Sequence, residues 1–552
     1  MKYPVYWATS ALFFLLLHGT VRAQSDGRFW VYFQDKGPVT SEVNEAVQLS
    51  ERALERRQKQ GIAIDWYDMP VYQPYIDSLA SWGFTIHVAS RWINAVSVTA
   101  PDETALGNLG IQPLVRKVER VKSYRMPVET LSFQPATFRQ AENTEPEYGN
   151  AANQVEMIQL DKLHGLGYTG EGLQIAVLDG GFTAIDTGAG YQSFRDKEQI
   201  LGTFNFPDNN EDVYFSALHG SYVLSIMGSD IPGSYVGAAP DAGYFLFRTE
   251  VVDSERVAEE DFWLAAAEYS DFIGVDIINS SLGYTTFDVS SEDHSYSDMD
   301  GNTTVVTRAA DIAASKGILV CNSAGNSGNS DWQYIGAPAD GDSVFSIGAV
   351  DPDGIYASFS SRGPTSDGRI KPNIAVQGAF SAVVHPNGAI YIGSGTSFSS
   401  PLAAGAAACL WQAFPEKTNM EIMEAMQQSA TQAAEPDDYL GYGIPNMLVA
   451  YYMLNGTSFG DLIQDRLGLF PNPADQSALL VVQDGIGNNS FYTITDMQGR
   501  IVSSTSLPAD KSAVALVALD FSNLSKGTYL LSLVQLDIEK EVILETIPFT
   551  RL

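Results

Sequence analysis

Three side chains far apart in the chain have the types that nucleophilic catalysis needs. Ser397 follows a glycine-rich turn in GSGTSFSSP and opens the apolar run LAAGAAACL, so its hydroxyl is presented at a helix start. An alcohol attacks a carbonyl only when a base takes its proton and an acid orients that base. His219, in SALHGSYVLSIMGS, is followed by a glycine and then by helical patterning; Asp179 ends the apolar run LQIAVLD just before two glycines. Each has an ordinary explanation when taken alone. An Asp before glycines caps a turn, a lone His is usually a hydrogen-bonded structural residue, and a Ser ahead of a helix satisfies its first amides. Among six histidines, only His219 combines a glycine neighbour, a helix start and a place between a strand-end Asp and a glycine-flanked Ser. Asn326, in CNSAGNSGNSD, follows an apolar strand in a flexible turn, from which its amide could serve an oxyanion together with the Ser397 backbone N–H.

Bringing these residues together requires a scaffold that ends several strands at one edge. Residues 155–455 supply one. The apolar runs LQIAVLD, AGYFLFR, GVDIINS, GILVCNS and SVFSIGAV alternate with helices near HGSYVLSIMG, AEEDFWLAAAEYS and VTRAADIAAS. Continuous apolar strands imply burial on both faces, so the expected fold class is α/β, a mostly parallel sheet flanked by helices. Residues 24–150 read as a smaller α+β unit. It has a strand at FWVYF, a helix within VNEAVQLSERALERRQKQG, strands FTIHVAS and INAVSVTA, and a short helix at PDETALGNLG. The polar stretch 141–154 is an exposed junction. Residues 460–552 are strand-rich (SALLVV, FYTITD, RIVSSTSL, YLLSLVQ, EVILETI) and read as a β-sandwich beyond the linker LNGTSFGDL. Residues 1–23 run from Lys2 through ALFFLLL to Val21-Arg22-Ala23, the pattern of a signal peptide rather than of a retained anchor.

A chain of 552 residues accommodates about three such units. Its net charge of -34, from 66 acidic and 32 basic residues, excludes a general nucleic-acid binder, which needs a positive surface. Two cysteines, Cys321 and Cys409, read as core thiols or as one bridge. No H-E-x-x-H array accompanies His219, so a zinc peptidase is a poor rival.

The central segment, roughly 165–450, resembles the subtilisin-like serine peptidases on VLDGGF, HGSYVLSIMG and GTSFSSP in that order, with NSSLG, SFSSRGP and GYGIPN besides. The resemblance implies peptide-bond hydrolysis through an acyl-enzyme, with Asp179 orienting, His219 as base, Asn326 as oxyanion donor and Ser397 as nucleophile. It makes Ser281, Leu282 and Gly283 the strand that pairs with substrate backbone, and it implies no cofactor for the chemistry. Many relatives use calcium for stability. The acidic stretch SSEDHSYSDMDGNTT offers Asp293, Asp298 and Asp300 as ligands, although no glutamate completes an EF-hand; a solvated loop with Asn302 or Thr303 capping the next helix is the alternative. Phe398-Ser399-Ser400 and Gln377 depart from the family pattern, which commonly has Met-Ala after the nucleophile and a proline at the second place.

The first domain resembles the prosegments of secreted members, an inhibitor and folding template cut near residues 125–160; a permanent accessory domain is the alternative. The last resembles the type IX secretion sorting domains of Bacteroidetes on LFPNPADQSALLVV, YTITDMQGRIV and LSKGTYLLSLVQ, ahead of a carbohydrate-binding sandwich. The implied partners are protein or peptide substrates, the chain's own prodomain and the type IX secretion machinery. The implied location is extracellular or on the outer cell surface. A silent peptide-binding protein of the same fold is the rival from another class.

Overall fold

The computed structural model describes residues 27–38, 47, 49–121, 134–135, 148–251, 259–285, 293–455, 467–470, 477–483, 486–507, 514–521, 523–537 and 540–551. The expected signal peptide and residues 141–147 of the junction lie outside them.

Seven strands make the central sheet: β1 (Gln174–Asp179), β2 (Ile200–Asn205), β3 (Gly243–Arg248), β4 (Ile277–Ser280), β5 (Leu319–Ser323), β6 (Phe345–Val350) and β7 (Ile374–Gln377). All neighbours pair in parallel, in the order β7-β6-β5-β4-β1-β3-β2. The five apolar runs named above are five of these strands. The edge strands β2 and β7 were not expected, because ILGTFN and IAVQ are short and mixed in polarity.

Alternate residues of β1 enter different cores, as a pleated strand requires. Ile175 and Val177 pack with α1 (His219–Gly228) and the later α4 (Thr396–Ala413), whereas Ala176 and Leu178 pack with α2 (Glu259–Ile273) and α3 (Val305–Ser315). Helices therefore cover both faces of the sheet. Because the chain builds β2 and β3 on one side of β1 and β4 to β7 on the other, a crevice opens at the carboxyl ends of β1 and β4, the usual ligand position in such sheets.

Residues 28–120 form a four-stranded antiparallel sheet, Thr85–Ser90, Ala95–Thr99, Arg28–Phe33 and Val115–Arg120 in spatial order. The same alternation splits its first strand. Val31 and Phe33 enter a small core with Leu79, Val96 and Val98, while Trp30 and Tyr32, with Trp92, join the core under α2 and α3. Sequence reading missed the helix Gln73–Ser81 and the strand Val115–Arg120, whose charged VRKVER suits an exposed edge. The expected long amphiphilic helix is helical at Glu51–Lys59, capped by Ser50.

The helix Glu51–Lys59 docks onto the central domain through buried ion pairs. Arg56 meets Asp271 at 2.6 Å, Arg57 bridges Asp68 at 2.7 Å and Asp271 at 2.6 Å, and Arg91 reaches Asp271 at 2.9 Å. In the reverse sense, Lys316 after α3 holds Asp65 at 2.6 Å. A hollow of about 520 Å³ remains between the two, lined by Val71, Ile76, Phe204, Phe206, Tyr269 and Phe272 among others.

Near the C-terminus, a three-stranded sheet (Leu467–Phe470, Ser477–Gln483, Val514–Asp520) faces a four-stranded one (Ile501–Ser506, Ser490–Asp496, Gly527–Asp537, Lys540–Arg551), both antiparallel. Leu480, Ile494, Leu531, Leu533 and Phe549 fill the space between them, a small sandwich. Both cysteines are free and buried, with Cys409 donating to Ala238 O at 3.1 Å; burial pushes each thiol up.

Candidate active site

Asp179 is the last residue of β1 and is almost wholly buried, at the crevice that the strand order creates. His219 is the first residue of α1. Its Nδ1 donates to Asp179 Oδ2 at 2.8 Å and Oδ1 at 3.0 Å, which fixes the ring's orientation and tautomer and turns Nε2 away from the carboxylate. Gly220 allows the approach: a Cβ there would meet Gly181 O at 2.4 Å and Asp179 Cβ at 3.0 Å.

Ser397 is the second residue of α4, whose N-terminal amides and dipole face the crevice. α4 packs against α1, so the helix carrying the hydroxyl and the helix carrying the imidazole are neighbours. Pro401, four residues on, has no N–H to give to the Ser397 carbonyl. That oxygen instead accepts from Ser281 Oγ at 3.1 Å, and Ser397 Oγ lies 3.4 Å from Ser281 O. Pro401 thus leaves the start of α4 available to be tied to the end of β4.

A cleft of about 260 Å³ is lined by Ser281, Leu282 and Gly283 on one side and by Ser323, Gly325 and Asn326 on the other, with Ser397 between. Buried amides hold both walls. Asn322 Nδ2 donates to Leu282 O at 3.0 Å, and Asn279 Oδ1 accepts from Ser400 Oγ at 2.8 Å. Ser400, just beyond the Phe398-Ser399 pair that departs from the family pattern, thus ties α4 to β4. Gln377 likewise replaces a proline turn with hydrogen bonds, accepting from Asn153 at 2.8 Å and donating to Phe380 O at 3.2 Å.

Asn326 Oδ1 accepts from both Thr396 N at 2.8 Å and Thr396 Oγ1 at 2.9 Å. Two donors on one amide end identify it as the oxygen, so the Nδ2 end points the other way. The Thr396 contact was not foreseen. Its only sequence signal is the threonine that precedes the serine in Gly395-Thr396-Ser397.

The three acidic candidates lie elsewhere. Asp298 Oδ2 accepts from Ser295 N at 2.8 Å, and Asp300 accepts from Asn302 N at 2.9 Å and Thr303 N at 2.8 Å. The cap of α3 is Thr304, one residue beyond the expected pair. Among the described residues, no three His, Cys, Asp or Glu side chains form a group that could hold a metal ion.

Residues 170–443 match the model of the subtilase family, residues 28–136 that of the Bacteroidota S8 propeptide domain, and residues 468–544 that of a secretion system C-terminal sorting domain. Residues 170–443 are a subtilase-family peptidase domain. Subtilisin E of Bacillus subtilis is 27% identical over 379 residues, 68% of this chain and 85% of its own. Subtilisin of Bacillus pumilus is 29% identical over 300 residues, 54% and 97% of the two chains. The serine protease AprX of Bacillus subtilis is 29% identical over 300 residues, 49% and 63%. This subtilase is a secreted serine endopeptidase made with a propeptide and a sorting tail, and the tail indicates a destination outside the cell or on its outer surface.

Proposed function

We propose that Ser397 is the nucleophile of this endopeptidase, His219 its general base, Asp179 the residue that orients His219, and Asn326 with the Ser397 backbone amide the oxyanion donors. The observation that carries the reading is the hold of Asp179 on His219 Nδ1, 2.8 Å and 3.0 Å to its two oxygens, which leaves Nε2 to act as base. The Ser397 proton passes to Nε2 as Oγ bonds to the peptide carbonyl carbon, and the carbonyl oxygen becomes an oxyanion. Asp179 stabilises the imidazolium. Collapse breaks the C–N bond while the imidazolium protonates the departing amine. Water then loses a proton to the same base, attacks the ester and releases the acid, returning the proton to Ser397.

An extended peptide lies along Ser281–Gly283 as an added strand, held by backbone hydrogen bonds that depend little on sequence. Residues 24–150 act as the prodomain, 155–455 as the peptidase and 460–552 as the sorting domain read by the type IX secretion machinery. For Asp293, Asp298 and Asp300, the turn and cap contacts of the last two account for the acidic stretch better than a calcium ion does. Thermal unfolding with and without a chelator checks this, since a lowered midpoint would restore the ion.

An active-serine phosphonate probe is expected to label the wild type and not Ser397→Ala. The Ser397→Ala chain, expressed without host proteases, should stay uncut between residues 125 and 160. Identical processing of both chains would assign maturation to another protease, and labelling of Ser397→Ala would place the active serine elsewhere.

A further inference from the structure

Glu250 lies two residues beyond β3, in the cleft wall beside Ser281, Leu282, Gly283 and Tyr284, and none of the steps above uses it. It is 1% exposed. Its Oε1 accepts from the Tyr284 hydroxyl at 2.7 Å and from Thr249 Oγ1 at 3.3 Å. Its carboxyl lies beside that of Glu259, the first residue of α2, which is equally buried and accepts Val251 N–H at 3.1 Å. Two buried carboxylates side by side repel each other, and one proton held by the pair relieves that repulsion. Tyr284 is fixed at its other end, where its N–H donates to Ala337 O at 2.9 Å. The residue directly after Gly283 is therefore pinned at its backbone and at its ring tip.

We propose that Glu250 is a positioning residue for peptide binding: through the Tyr284 hydroxyl it holds the Ser281–Gly283 wall in the register that an extended substrate needs. The inference rests on the reading of Ser397 as nucleophile and of Ser281–Gly283 as substrate strand. The groups facing the pair are Tyr284 on the wall, Asp179 at the end of β1, and Glu260 beside Glu259 on α2, itself bonded to His294 at 3.2 Å. Burial, with the nearby Asp179 charge, holds Glu250 above the usual carboxylate range against the hydrogen bonds that oppose it. Loss of the shared proton places two like charges in contact where little water can screen them. The pair then parts, and the wall loses an anchor. Substrate affinity falls as pH rises, while kcat, set by proton transfer at His219, does not follow the same curve.

The test uses matured enzyme, active-site titrated with a phosphonate that lacks a peptide arm, and reads kcat and KM on a fluorogenic peptide from pH 5 to 10. Wild-type KM is expected to rise about fivefold or more across that range with kcat following a different curve, the signature of lost ground-state binding. Glu250→Gln keeps an acceptor for Tyr284 and a donor for Glu259, so its KM should stay level with pH. Tyr284→Phe should raise KM about fivefold at pH 7.5 while kcat and the labelling rate stay within about twofold of wild type. A Glu250→Gln enzyme with the same alkaline rise as wild type, or a Tyr284→Phe enzyme with unchanged KM, would overturn the proposal while leaving the nucleophile intact. A wild type that the phosphonate does not label would overturn both.

Discussion

Thr396 grips the side chain of Asn326 by its oxygen, with a backbone amide at 2.8 Å and a hydroxyl at 2.9 Å, and so aims the amide nitrogen away from the helix that carries both Thr396 and Ser397. The proposed oxyanion donor and the proposed nucleophile are thereby referred to one rigid element. Asn326→Ala is expected to lower kcat about 10²–10³-fold with a small change in KM, the magnitude known for such a donor in a subtilisin rather than one obtained from this structure. Thr396→Val removes only the hydroxyl bond and keeps the backbone one, so its kcat loss should be smaller, about tenfold. Steady-state kinetics on one peptide compares the two, and an equal loss in both would contradict the division of labour.

Gly220 separates the two members of the Asp179–His219 pair by no side chain at all. In Gly220→Ala the new Cβ would lie 2.4 Å from Gly181 O and 2.9 Å from the Phe182 ring, contacts that only a shift of the α1 start can relieve. Overpacking of this kind costs about 1–3 kcal/mol of stability. Activity should suffer more than stability, because the shift moves the imidazole off the carboxylate. Thermal unfolding and kcat measured together test this, and a destabilised enzyme with wild-type kcat would refute it.

Asp261 gives the prodomain contact a pH dependence. Burial first, and the neighbouring Glu260, push its carboxyl up to about 7 against the opposing Ser97, Arg28 and Trp30 of the prodomain. Once the prodomain leaves, Asp261 returns towards an ordinary carboxylate value, so the complex is the form that binds the extra proton. The contact is therefore fully strengthened only below the ordinary range and loses that contribution as pH rises through about 7. One proton corresponds to about tenfold weaker docking at pH 8 than at pH 6. Hydrogen exchange along Trp30–Phe33 in the uncleaved Ser397→Ala chain reports docking without catalysis. Adding Asp261→Asn should flatten its pH profile, and an unaltered profile would remove Asp261 from the explanation.

Arg57 sits between Asp68 of its own domain and Asp271 of the peptidase, with both acids buried. Arg57→Ala would take one guanidinium from each of two buried carboxylates and leave Asp271 to Arg56 and Arg91 and Asp68 to Lys316, so the loss should stay below the ~3–5 kcal/mol of a fully broken buried pair. In the Ser397→Ala background this should appear as earlier loss of exchange protection along the prodomain sheet. Full protection would mean that Arg56 and Arg91 suffice to hold Asp271.

The residues proposed to react are legible because each marks a change of local pattern: Asp179 where an apolar strand meets glycines, His219 and Ser397 where glycine gives way to a helix. Asn326 followed from its place after a strand. Thr396 was not legible as a partner, since the end of an amide that faces the cleft depends on donors brought from another element. Glu250 reads in sequence as a polar residue after a strand; its burial is set by Tyr284 and Glu259, which only the fold assembles. Arg56 and Arg57 in ERALERRQKQ read as a solvated helix face because Asp271, their counter-ion, comes more than 200 residues later. The edge strands β2 and β7 escaped notice because their runs are short and mixed in polarity.

The arginine-to-acid seam along α2 also makes departure of the inhibitor a change in the enzyme's own charge. Arg52, Arg56, Arg57 and Arg91 leave together, uncovering Asp271, Asp276 and Glu268 on a molecule that already carries a large negative excess. Salt bears on the two stages unequally, because the buried pairs of the seam are little screened while it holds, whereas the acidic ridge is shielded once it lies bare.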